Sequence, residues 1–134
     1  MPDRAFIDTN VLVYAFSASG RKTEIAESLL LGGGIVGVQT LNEFVNVAVR
    51  KLKCDWPEIL AWLRIIERLC PPPVPITAEV HLRGLEIAQV YRYPFYDSLM
   101  LAAALEDACD VFCSEDMQHG QVIDTMTIRN PFRE

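Results

Sequence analysis

The spacing of apolar positions along the chain changes several times, and each change marks an element. "RAFID" (4–8) is short and apolar and ends on a turn-forming residue, which predicts a first strand; "NVLVYAF" starts a helix just after it. In "TEIAESLLLGGG", Ile25, Ala26, Leu29 and Leu30 share a helical face, and three glycines end the helix. "IVGV" (35–38) is β-branched and too short for a helix, so it predicts a second strand. "TLNEFVNVAVRKLK" restores helical spacing through Leu41, Phe44, Val45, Ala48, Val49 and Leu52. "DWPEILAWLRIIERLC" predicts an amphipathic helix with Pro57 in its first turn, ended by "PPPVP" (71–75) and a short extended segment. "TAEVHLRGLEIAQVYR" predicts a further helix, and "DSLMLAAALEDA" one apolar on nearly every side in its first two turns, hence buried. "DVFCSED" (110–116) contains a third clear strand and "DTMTIRNPF" a weaker last one.

Short apolar strands alternating with helices predict an α/β domain with a mostly parallel sheet. No repeat, linker or low-complexity segment interrupts the 134 residues, so a single domain over 1–134 is expected. No apolar run approaches the roughly 20 residues that span a bilayer. Asp8 breaks the N-terminal apolar segment, which therefore reads as core and not as a signal peptide. The expected setting is cytoplasmic, with no membrane partner. Cys54, Cys70, Cys109 and Cys113 lack CxxC spacing and there are only two histidines, so reduced core thiols are expected in place of a zinc site. A net charge of −6 argues against a broad basic surface for nucleic acid. It leaves room for a carboxylate cluster that reverses its local charge by holding a divalent cation.

Four acids fall at element boundaries. Asp8 ends the first strand and Asp116 follows the "VFCS" strand; Glu43 sits in the first turn of the helix after "IVGV", and Asp97 opens the buried helix. In an open parallel sheet all four belong to the edge where strands end, the usual ligand edge. Each also has an ordinary explanation. Asp8 and Asp97 are natural N-caps, Thr40-Leu-Asn-Glu43 fits a capping box, and Asp116 can shape a turn. The set favours another reading, because converging carboxylates repel one another and persist where a cation sits among them. Oxygen ligands with few histidines select a hard ion such as Mg2+ or Mn2+, which serves phosphodiester hydrolysis.

"FIDTNVLVYA", "TLNEF", "FYDSLMLAAAL" and "SEDMQHG" resemble, in order and spacing, the PIN-domain ribonucleases, and most of all the VapC-type toxins of toxin–antitoxin systems. The resemblance implies a three-layer α/β/α fold around a central, mostly parallel sheet of about five strands. It implies metal-dependent RNA hydrolysis with Mg2+ or Mn2+ held by Asp8, Glu43, Asp97 and Asp116, Asp97 or Asp116 being able to assist as general base. Thr9 and Asn10 match the "DTN" signature, with Asn10 positioning Asp8, and Ser114 matches a supporting hydroxyl. Glu115 should point away from Asp116 in an extended segment. The resemblance also implies a homodimer and a cognate antitoxin covering the active site, where Trp56 and Trp62 could contribute if they are not core. RNA grip would come from the metal and from local cations: Arg50, Lys51 and Lys53, with Arg21 and Lys22 as further candidates. His119 is expected in a surface or structural role and His81 in packing.

Rival classes fit less well. Dehalogenase-type phosphatases need a second aspartate where Asn10 stands, and they and receiver domains need a late lysine, whereas no lysine follows Lys53. A PIN-like module that binds RNA or protein without cutting is the main alternative, and a nuclease acting on DNA would carry the same acids.

Overall fold

The computed structural model describes residues 3–17 and 19–134. Its order is β1 (Ala5–Ile7), α1 (Thr9–Ser17), α2 (Arg21–Leu31), α3 (Val38–Arg50), α4 (Trp56–Leu69), α5 (Ala78–Tyr91), α6 (Phe95–Glu106), β2 (Val111–Cys113), β3 (Val122–Ile123) and β4 (Met126–Arg129). The sheet runs β1-β2-β4-β3, parallel except for the β3–β4 hairpin.

Four strands thus replace the expected five or so. The "IVGV" stretch is not a strand but makes isolated parallel bridges, Ile35 to Phe6 of the sheet and Gly37 to Val74 outside it. The hydrogen bonds are of ordinary length: Ile7 N–H reaches Ile35 O at 2.8 Å, and Val38 N–H reaches Val74 O at 2.9 Å. Only three residues lie between the glycine stop of α2 and the start of α3, so the segment cannot extend further. The stop is a Schellman pairing in which Gly33 N–H bonds Leu30 O and Gly34 N–H bonds Leu29 O, with Gly33 left-handed at φ 82°. Gly34 is required for a different reason. A Cβ there would lie 2.3 Å from Ile7 Cδ1.

Strand alternation sends neighbouring residues to opposite faces and divides the core in two. Phe6 stacks on Phe112 at 5.3 Å and joins Ile128 and Val80, Ile87, Met100 and Leu101 of α5 and α6. Ile7, on the other face, packs with Val11 and Leu12 of α1, Leu30 of α2, Phe44 of α3 and Ile66 of α4. The result is the three-layer arrangement, and α6 is buried from Ser98 to Leu105 as its composition required. No helix among the described residues is long and apolar enough to cross a membrane.

Candidate active site

β1 and β2 lie side by side in parallel, so the residues that follow them emerge at one edge. Asp8 follows β1 and Ser114 follows β2, and Asp8 N–H continues the ladder to Cys113 O at 3.0 Å. This puts a carboxylate in the core, 4 % exposed. Its oxygens are fully engaged: Ser114 Oγ donates at 2.7 Å and Asn10 Nδ2 at 3.2 Å to Oδ2, while Thr9 N–H donates at 2.7 Å to Oδ1. The Asn10 amide also donates to Asp116 Oδ2 at 3.0 Å and accepts from Glu115 N–H at 3.2 Å. Asn10 therefore clamps the Asp8 carboxylate and the segment after β2 with one side chain. Ser114, wholly buried, accepts from the backbone N–H of Asp116 and Met117 as it donates to Asp8.

The other two acids arrive on helices, and neither is a cap. α3 starts at Val38, two residues before the expected boundary, and Thr40 Oγ1 accepts from Gly37 N–H at 3.1 Å. Thr40 has taken the role expected of Glu43, which is left facing the edge. There it accepts from Thr9 Oγ1 at 3.3 Å and from Gln39 Nε2 at 3.1 Å. α6 starts at Phe95 with Pro94 as its N-cap residue, so Asp97 lies inside the first turn. Negative charge is favoured at that end of the helix, but no hydrogen bond reaches the Asp97 side chain among the described residues.

Asp8, Thr9, Asn10, Glu43, Asp97 and Asp116 line one open cleft of about 430 Å³. The expected acids are brought together. Burial pushes the Asp8 carboxyl up to about 7, against the hydrogen bonds from Ser114 and Thr9, and the charges of Asp97 and Glu43 push the same way. Asp97 is also raised, first by burial and then by Glu43 and Asp116. None of the four forms a salt bridge among the described residues. The donor chemistry, all oxygen and anionic, fits a hard cation. The spacing is looser: among the described residues, no three His, Cys, Asp or Glu side chains stand close enough to share an ion as they are.

Glu115 lines the same cleft but is otherwise occupied. It pairs with Lys22 and accepts from Tyr14 O–H at 3.0 Å, and the Lys22 ammonium holds its carboxyl below the usual range. Lys22 also lies over the rings of Tyr14 and Phe132, at 5.1 and 5.4 Å. This removes Lys22 from the free cations, and Arg21 is spent on Phe132 O at 2.6 Å. Of Arg50, Lys51 and Lys53, only Lys51 lines the cleft. His119 is structural, its Nδ1 accepting from Asn130 N–H at 3.0 Å, and His81 packs edge-on against Phe95. Trp62 packs between Phe16 and Phe44, whereas Trp56 is exposed. Tyr14 and Gln39 were missed from sequence, although each stands four residues from a recognised site residue, Asn10 and Glu43, on the same helix.

Comparison with known proteins agrees with the fold. A family model described as "PIN domain" matches residues 5–123. A toxin–antitoxin complex from Klebsiella pneumoniae superposes with a TM-score of 0.72 at 19% identity, over 97% of this chain and 99% of that one. VapC20 from Mycobacterium tuberculosis, a sarcin–ricin loop cleaving toxin, gives 0.63 at 16% identity over 81% and 86%. VapBC2 from Rickettsia felis, bound to a DNA fragment from its promoter, gives 0.67 at 15% over 93% and 96%. A sequence comparison with curated proteins gives no match.

Proposed function

Because the chain belongs to the PIN-domain family, we propose that it is a metal-dependent endoribonuclease, the toxin half of a toxin–antitoxin pair. The observation that carries this reading is the meeting of Asp8, Glu43, Asp97 and Asp116 at one cleft with no cation paired to any of them among the described residues. A Mg2+ or Mn2+ ion held by these four would polarise the scissile phosphodiester and make water a nucleophile near neutral pH. The chain's own residues do the rest. Ser114 and Asn10 fix the Asp8 carboxylate, Asn10 sets its separation from Asp116, and Thr9 with Gln39 orients Glu43. Asp97 or Asp116, both lining the cleft, would assist through a bound water as the base that takes a proton from the attacking water.

The toxin role draws support from the similar structures, one a toxin–antitoxin complex and one a cleaving toxin. An antitoxin and a second copy of the chain are the partners this reading implies. A module that binds without cutting is the second reading, favoured by the looseness of the acid set. One experiment separates them: a mixed, end-labelled RNA pool with the protein in Mn2+ or Mg2+, with EDTA and with Asp8→Asn. Cutting lost in both controls is expected. Cutting that persists in Asp8→Asn rejects the site, and a metal-loaded protein that binds the pool without cutting it selects the second reading.

A further inference from the structure

The cleft continues beyond the acids between facing sides of α1 and α3. On α3 it is lined by Glu43, Val47 and Lys51, spaced four residues apart and so on one side of the helix. On α1 it is lined by Asn10, Val13, Tyr14 and Ser17, again one side. Both rows begin among the carboxylates. At 1.5 Å per residue, Glu43 and Lys51 are about 12 Å apart along the axis. Val13, Val47 and Leu52, all half-buried, form the apolar stretch between.

Resting on the ribonuclease reading above, we propose that this channel is the path of a single RNA strand and that Lys51 is its phosphate anchor, remote from the bond that is cut. The spacing suits this role. A stacked strand advances about 3.4 Å per nucleotide and an extended one roughly twice that, so about 12 Å corresponds to two to four nucleotides. The apolar stretch offers bases and riboses a surface that discriminates little between sequences. A single strand suits that surface better than a duplex, whose bases are already stacked and paired inside the helix.

Charge completes the argument. Lys51 is the one cation among the described lining residues and enters no ion pair among them, and Arg50 and Lys53 flank it, equally unpaired. Lys51 alone stands at the far end of the channel, with Arg50 and Lys53 beside it in sequence but outside the lining, in a chain of net charge −6. Cations also suit a helix C-terminus, but that role does not require Lys51 to face the cleft.

The test is fluorescence anisotropy of a labelled, mixed-sequence single-stranded 12-mer RNA with the full chain in Ca2+, at several salt concentrations. The RNA is checked for integrity on a gel. Lys51→Ala should weaken binding about fivefold and lower the slope of log affinity against log salt by about 0.7, the loss of one single-strand phosphate contact. Lys51→Arg should restore both, and Arg64→Ala, on the exposed side of α4, should change neither. A hairpin duplex of the same bases should bind more weakly. Equal affinity and slope in Lys51→Ala overturn the path, as does an equal loss in Arg64→Ala. If the wild type binds the RNA in Ca2+ and cuts it in Mn2+ while Lys51→Ala behaves identically in both, only the path falls; if the wild type neither binds in Ca2+ nor cuts in Mn2+, the ribonuclease reading falls with it.

Discussion

Replacing Asp8 by Asn should make the metal-free protein more stable above neutral pH while abolishing cleavage. Burial raises the Asp8 carboxyl from 3.8 to about 7. Below about pH 4 the folded and unfolded chains both keep the proton, and its charge contributes nothing. As pH rises from 4 to 7, the unfolded chain releases the proton and the folded protein retains it, so stability falls; beyond 7 the loss is complete. At 1.4 kcal/mol per tenfold change in proton affinity, the ceiling is about 4 kcal/mol. The amide offers one acceptor where the carboxylate offered two, so one of the contacts from Thr9, Ser114 or Asn10 is lost, at about 1–3 kcal/mol. The net gain at pH 8 is therefore roughly 1–3 kcal/mol. Urea unfolding of both proteins in EDTA, from pH 4 to pH 8, measures it; subtracting the two curves cancels every other titrating group. A difference that does not change with pH would refute the account of Asp8 as a buried carboxylate ionised at a cost. Adding Mn2+ should stabilise the wild type by mass action and leave Asp8→Asn nearly unmoved.

Three further outcomes follow from the packing. Ser114→Ala removes the hydroxyl on which Asp8, Asp116 and Met117 converge; a loss of about 1–3 kcal/mol in urea unfolding is expected, together with slower cleavage, and unchanged stability would contradict it. Gly34→Ala places a methyl 2.3 Å from Ile7 Cδ1, so a destabilisation of about 1–3 kcal/mol is expected from crowding, read from the same assay. Burial raises Cys70 and Cys113 to about 11 and Cys109 to about 12; a thiol reagent at pH 8 should therefore titrate at most Cys54 rapidly in the folded protein, and all four in urea. Rapid reaction of a second thiol in the folded state would show that the core opens.

Helices were legible from sequence because their period repeats over three or four turns. The helix with Pro57 in its first turn and the helix in "TAEVHLRGLEIAQVYR" stand where they were expected, and the structure adds their caps, Asp55 and Thr77. Short elements were less legible. "IVGV" has strand composition, yet Val38 is taken by α3, and what remains is too short for more than bridges. The β3–β4 hairpin escaped because β3 is only two residues long and its turn rests on a left-handed Asp124 in place of glycine. At the site, the four acids were picked out by their positions at element ends, and Asn10 only through the resemblance of its "DTN" signature. The fate of Lys22 was not: a lysine that meets Glu115 across 93 residues leaves no local trace.

The clamp between the two ends of the site also bears on when the site can exist. Asn10 and Asp116 are 106 residues apart, as are Asp8 and Ser114, and β1 has no parallel neighbour among named strands until β2 is made. The ribosome must add 106 residues after Asp8 to reach Ser114, and 106 after Asn10 to reach Asp116. A nascent or prematurely ended chain holds Asp8 without Ser114 to orient it and without Asp116 beside it. Long-range pairing of this kind is a late event in folding. Chain order alone therefore makes the complete site a late product, and a chain that stops short of Ser114 cannot assemble it.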